Sequence, residues 1–137
     1  MSLVIDSSVT LAWIYSDERT EATERVFHVV TEAGAWVPAI WHLEVANGLQ
    51  QGVRQRRIDA AFRTGALADL AVMNIATDPD TNVFAWSDTL DLSDRFRLTL
   101  YDACYLELAQ RRNLPLATLD GDLRAAGEAL GIEILGA

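Results

Sequence analysis

The chain has no lysine, one cysteine and two histidines among its 137 residues, and each shortage closes off a class of protein. Without lysine, eleven arginines carry all the side-chain positive charge against twenty carboxylates, giving a formal net charge of −9 at pH 7. That excludes a protein that grips nucleic acid by bulk positive charge. It does not exclude a nuclease, because an acidic metal site contributes negative charge that bound cations offset. Cys104 has no partner for an internal disulfide and no companions for a cysteine-based zinc site. It falls in an apolar helical stretch and reads as a small core residue, which suits a reducing cytoplasm. The apolar runs are short and interrupted, so no membrane span is expected. The opening Ser2-Leu3-Val4-Ile5-Asp6 has no basic stretch ahead of an apolar one, so no secretory leader is expected.

What is present is a globular composition, 50% hydrophobic and 23% charged, at a length that suits one domain over residues 1–137. The arginines gather in two stretches: Arg54, Arg56, Arg57 and Arg63, then Arg95, Arg97, Arg111 and Arg112. Such runs read first as solvated helix faces. Arginine's planar fork also suits phosphate, which leaves a local nucleic-acid rim as a second reading.

Leu3-Val4-Ile5 reads as a buried strand, followed by a helix capped by Ser7 or Ser8 that runs to about Tyr15. Thr20 caps a second helix that Gly34 ends, and Trp36-Val37 makes a short strand. Pro38 suits the start of a third helix reaching about Gln55, and a fourth spans about Asp59 to Leu70. Val72-Met73-Asn74-Ile75 reads as a strand, and Asp78-Pro79-Asp80 as a turn before a helix near Thr81 to Leu90. Asp102 to Arg112 is a helix, Leu116 to Leu119 a strand, Gly121 to Leu130 a helix and Ile132 to Ile134 a last strand. Short buried strands alternating with helices imply an α/β sandwich with a mostly parallel sheet. In such a sheet, strand C-termini and helix N-termini share the edge where ligands bind.

That edge collects four carboxylates. Asp6 and Asp120 follow strands, Asp102 begins a helix, and Glu44 lies near the second turn of another. Asp6, Asp102 and Asp120 also sit where helix N-caps belong. Glu44, flanked by Leu43, Val45 and Ala46, lies too deep for a cap, and its alternative is a solvated face. Carboxylates gathered at one point repel, and a divalent cation offsets that repulsion far better than helix dipoles do. An all-oxygen donor set favours Mg²⁺ or Mn²⁺. Phosphodiester hydrolysis fits such a site and needs no histidine, so His28 and His42 are read as surface residues. Supporting candidates are Ser7 and Thr118 as hydroxyl donors, Asn47 one turn beyond Glu44, and Asp122 as a fifth acid.

The motifs around these acids resemble the PIN-domain family, and within it the VapC-type toxins of prokaryotic toxin–antitoxin pairs. Val4-Ile5-Asp6-Ser7-Ser8-Val9 with Trp13 and Asp17-Glu18 is similar to the first family motif, and Pro38 through Asn47 to the second. Leu98 through Ala109 is similar to the third, and Pro115 through Asp120 with Leu123 to the fourth. The resemblance covers nearly the whole chain and is thinnest between Ile75 and Asp94. It implies a PIN-like three-layer α/β sandwich with the family's acidic positions on Asp6, Glu44, Asp102 and Asp120. It further implies Mg²⁺- or Mn²⁺-dependent endoribonuclease activity leaving 5′-phosphate and 3′-hydroxyl ends, a homodimer, and a small VapB-like antitoxin partner. Two other readings stay open at this point. A haloacid-dehalogenase-type phosphohydrolase also has an Asp after its first strand, but it wants a second Asp where Ser8 stands. A catalytically quiet module that binds an antitoxin-like helix is the other.

Overall fold

Five two- or three-residue strands carry the whole architecture, because each is flanked by turn and cap signals that stop it early. The computed structural model describes residues 1–137. The strands are β1 (Leu3–Ile5), β2 (Ala35–Val37), β3 (Ile75–Thr77), β4 (Leu116–Ala117) and β5 (Ile134–Leu135), all parallel in the order β3-β2-β1-β4-β5. Between them run helices α1 (Ser7–Ile14), α2 (Glu21–Ala33), α3 (Trp41–Arg54), α4 (Ala60–Ala71), α5 (Thr81–Phe84), α6 (Asp88–Phe96), α7 (Leu100–Arg112) and α8 (Gly121–Ala129). The sheet is sandwiched between helical layers, the three-layer α/β arrangement expected from the sequence. No helix is long and apolar enough to cross a membrane.

The chain leaves β1 to build β2 and β3 on one side, then returns to build β4 and β5 on the other. Strand order therefore reverses between β1 and β4, which is where parallel sheets open a crevice at their C-terminal ends. The strands bury both faces: Val4, Ile5, Leu116 and Ala117 are inaccessible to solvent. Helix α7 is buried from Ala103 through Ala109, so it forms the spine of one helical layer rather than a surface helix.

The other layer sets Glu44 in place. Ser7, Leu11 and Tyr15 recur every four residues along and just beyond α1, and Glu44, Gly48 and Gly52 do the same along α3. The two stripes meet in step. Ser7 Oγ donates to Glu44 Oε1 at 3.4 Å, and Tyr15 Oη donates to the Gly48 carbonyl at 3.0 Å. A β-carbon on Gly48 would lie 2.5 Å from Leu11 Cδ1, and one on Gly52 would lie 2.0 Å from Tyr15 Oη. Two glycines thus let the helices approach closely enough for Ser7 to reach Glu44.

Several boundaries depart from the sequence reading, each for an identifiable reason. Asp6, not Ser7 or Ser8, caps α1 by accepting the Val9 N–H at 3.1 Å. Helix α3 begins at Trp41 because Pro38–Ile40 form a turn whose Ala39 N–H donates to Thr81 Oγ1 at 3.0 Å. Glu44 consequently lies in the first turn of α3, not the second. Val72 caps the end of α4 and is exposed, so β3 starts only at Ile75. The helix expected over Thr81–Leu90 is broken between α5 and α6, where Ser87 leaves helical geometry and Asp88 and Asp91 open a new first turn. Ile132 donates its N–H to the Gly127 carbonyl at 2.9 Å to close α8, which delays β5 to Ile134.

A buried ion cluster ties the far end of α7 to the β3–α5 connection. Arg111 grips Asp78 with two guanidinium nitrogens, at 2.6 and 3.2 Å, and Glu107 at 2.7 Å. Arg112 adds a 3.0 Å bond to Asp78 and lies over Trp36, its guanidinium carbon 3.6 Å from the ring centroid. Burial alone would raise the Asp78 pKa, but the arginine hydrogen bonds and charges more than reverse this and hold it below the usual carboxylate value.

Candidate active site

Asp6 stands at the point where strand order reverses. Its backbone N–H completes the β1–β4 ladder by donating to the Ala117 carbonyl at 3.1 Å, and its side chain then turns out of the sheet to cap α1. Only 4% exposed, it is held by hydroxyls on both oxygens. Ser8 Oγ donates to Oδ1 at 2.6 Å, and Thr118 Oγ1 donates to Oδ2. Each hydroxyl also accepts a backbone N–H from the β4–α8 connection: Leu119 N to Ser8 and Asp120 N to Thr118, both at 3.0 Å. Asp120 in turn caps α8 by accepting the Leu123 N–H at 2.8 Å. Two serine/threonine bridges therefore lock the Asp6 carboxylate to the backbone that carries Asp120.

Glu44 reaches the same region from α3. Its Oε1 accepts the Tyr105 hydroxyl at 2.6 Å as well as Ser7. Asp102 occupies the third position of α7. Thr99, not Asp102, is that helix's cap, and its Oγ1 accepts the Asp102 N–H at 3.1 Å. The Asp102 carboxylate is thus free of capping duty.

The electrostatics tie these groups together. Burial raises the Asp102 pKa, and the negative charges of Asp120, Glu44 and Asp122 raise it further against the Thr99 hydrogen bond. Asp6 is pushed up to about 6, chiefly by burial; Ser8, Thr118 and Val9 oppose that shift, and the Asp102 charge adds to it. Burial, the Glu44 hydrogen bond and the charges of Glu44 and Asp6 drive the Tyr105 phenol far above its ordinary value, so it remains a donor. Cys104 is pushed up to about 11 by burial and by Glu107 and Glu44, which leaves it an inert thiol.

Of the supporting candidates, Ser7 and Thr118 hydrogen-bond to site acids, and Asp122 is exposed in the first turn of α8. Asn47 is exposed on α3 and makes no hydrogen bond to the four acids. His28 and His42 are exposed. Sequence reasoning missed Tyr105 and gave Ser8 only a capping role. Tyr105 is one turn beyond Asp102 on α7, and that spacing was the available signal.

No three acids stand close enough to form a protein cage around an ion by themselves. The donor set nevertheless fits a hard cation. It consists of carboxylate oxygens, and Asp102 feels the charges of three other acids that a cation would neutralise. Mg²⁺ suits such an open arrangement because it keeps several waters and takes only one or two carboxylates.

Comparison with known proteins gives the family. A PIN domain family model matches residues 3–129. The chain is 29% identical over 130 residues to Ribonuclease VapC3 of Pyrobaculum aerophilum, covering 95% of this chain and 98% of that one. It is 29% identical over 132 residues to VapC ribonuclease Mb0985 of Mycobacterium bovis, covering 93% of this chain and 92% of that one. Among solved structures, VapC20 of Mycobacterium tuberculosis, a sarcin–ricin loop cleaving toxin, superposes with a TM-score of 0.67 at 19% identity, over 91% of this chain and 95% of that one. VapBC2 of Rickettsia felis, bound to a promoter DNA fragment, gives 0.63 at 10% identity, over 98% and 97%. With a PIN domain model matching all but the first two and last eight of its residues, the chain belongs to the PIN-domain family.

Proposed function

We propose that this chain is a Mg²⁺- or Mn²⁺-dependent endoribonuclease, the toxin of a type II toxin–antitoxin pair, acting as a cytoplasmic homodimer beside a VapB-like antitoxin. The observation that carries the reading is the convergence of acids: burial first, and then the charges of Asp120, Glu44 and Asp122, raise Asp102, and Asp6, fixed by two hydroxyls, feels Asp102. Asp6, Glu44, Asp102 and Asp120 are the proposed catalytic and metal-holding residues. A bound divalent ion supplies neutralisation of phosphate charge and activation of water.

The protein's own part is orientation. Ser8 and Thr118 hold Asp6 in one rotamer and fix its spacing to Asp120. Ser7 and Tyr105 hold Glu44, and the N-termini of α1, α7 and α8 favour negative charge at this edge. RNA, rather than duplex DNA, suits the acidic surface, because unpaired loops are recognised by shape and stacking more than by bulk charge. The antitoxin proposal draws support from an apolar groove of about 630 Å³ lined by Trp13, Ile14, Phe27, Phe62, Ala66 and Leu70.

The test is cleavage of an RNA panel with Mg²⁺, Mn²⁺ or EDTA, together with growth on induction. Asp6→Asn is expected to abolish cleavage and growth arrest while leaving the fold intact. An Asp6→Asn protein that cuts at the wild-type rate would overturn the assignment. Wild-type protein that cuts no RNA with either metal would favour the quiet interaction module.

A further inference from the structure

Tyr105 is 1% exposed inside α7, yet its hydroxyl is committed to a carboxylate on a different helix. It donates to Glu44 Oε1 at 2.6 Å, and Ser7 donates to that same oxygen at 3.4 Å. The two donors make the carboxylate asymmetric, with Oε1 anchored from α7 and α1 while Oε2 accepts no hydrogen bond from the protein. A hydrogen bond to an ionised acceptor is about twice as strong as a neutral one, and in a buried setting water does not replace it. The in-step packing of Ser7, Leu11 and Tyr15 against Glu44, Gly48 and Gly52 fixes the side from which Ser7 approaches. Packing alone does not call for the hydroxyl, because phenylalanine would fill the same volume.

We propose that Tyr105 is a positioning residue: it anchors Glu44 through Oε1 and so presents Oε2 as the one Glu44 oxygen available to a divalent cation or to its water shell. The role rests on the reading of the acidic cluster as a cation site. It adds one requirement to that reading, namely that Glu44 engages through a single oxygen whose direction a buried phenol sets.

The test is Mn²⁺ binding to the intact protein, followed by loss of the free-ion electron paramagnetic resonance signal. It compares wild type, Tyr105→Phe, Glu44→Gln and the double variant, with urea unfolding in EDTA to verify folding. Tyr105→Phe is expected to weaken Mn²⁺ binding about tenfold or more, the usual effect of removing a group that orients a ligand. In the Glu44→Gln background the same change is expected to add nothing. Ser7→Ala removes the longer bond and should weaken binding by a smaller factor, again only when Glu44 is present; it carries the comparison should Tyr105→Phe not fold. Unchanged affinity in Tyr105→Phe, or an equal loss with and without Glu44, overturns the positioning role while leaving the cation site standing. Wild-type protein that binds no Mn²⁺ overturns the cation reading, and this role with it.

Discussion

Asp6→Asn should stabilise the metal-free protein at neutral pH while removing its response to Mg²⁺. The native Asp6 carboxyl ionises at about 6, against an ordinary value of 3.8. Raising this carboxyl from 3.8 to about 6 is worth about 3 kcal/mol. The sign follows from proton counting. Between the two values the folded chain binds more protons than the unfolded chain, so stability falls as pH rises. The contribution is fully present below about pH 4 and lost once pH passes about 6. At pH 7.5 in EDTA the wild type therefore carries the full loss, a large share of the 5–15 kcal/mol typical of a domain. Asparagine retains an acceptor for Val9 N–H and Ser8 but loses the bond from Thr118; its charge-assisted part is already contained in the raised pKa, so the remaining cost is that of an ordinary hydrogen bond, about 1 kcal/mol. The net expectation is a gain of about 2 kcal/mol for Asp6→Asn at pH 7.5 in EDTA, narrowing or reversing near pH 4. Saturating Mg²⁺ at a hundred times its Kd should restore about 2.7 kcal/mol to the wild type and nothing to the variant. Urea unfolding followed by the fluorescence of the buried Trp13 and Trp41 measures both proteins in all three conditions. Asp102 is shifted in the same direction, so Asp6→Asn should keep a shallower slope of the same sign. An Asp6→Asn protein no more stable than wild type at pH 7.5 in EDTA would refute the reasoning.

Two further predictions concern the scaffold. Asp78→Ala leaves Arg111 and Arg112 without their shared acceptor; because Arg111 keeps Glu107 and both arginines reach solvent, the loss should sit near the low end of the usual range, about 3 kcal/mol by urea unfolding at pH 7. Since the Asp78 pKa is depressed, its contribution is present above the ordinary value of 3.8 and lost as pH falls through the lowered one, so the gap between the two proteins should shrink in acid. Gly52→Ala drives a methyl into Tyr15 Oη and should cost about 1–3 kcal/mol in overpacking, offset in part by about 1 kcal/mol of helix propensity. In a Tyr15→Phe background the obstructing oxygen is gone, so the same substitution should cost less than half as much. Equal losses in both backgrounds, measured by thermal unfolding, would show that the close approach of α1 and α3 is not limited by that hydroxyl.

What the sequence made readable, and what it did not, divides along a physical line. Asp6 and Asp120 were readable because each follows a short apolar run, and strand C-termini of a parallel sheet share one edge whatever the remaining details. The start of α3 was misplaced because it depends on Thr81 accepting the Ala39 N–H across 42 residues of chain, which no local rule for Pro38 can anticipate. Glu44 moved a turn closer to the helix start as a result, yet it still does not cap, since its carboxylate goes to Tyr105 and Ser7. Asp102 was read as a site acid that could equally be a cap; Thr99 fills that cap, which strengthens the functional reading by freeing the Asp102 carboxylate. The groups that orient the acids were hardest to read. A serine after a strand-end aspartate has many uses: Ser8 reads as a cap in one dimension and becomes a bridge from Asp6 to Leu119 only when β4 is laid beside β1. Tyr105 likewise reads as core, and it is core; its hydroxyl acquires a task through a partner 61 residues away. Carboxylates are expensive to cluster, so few explanations survive for four of them on one edge. Hydroxyls are cheap to satisfy almost anywhere, so only the folded chain shows which ones hold the acids in place.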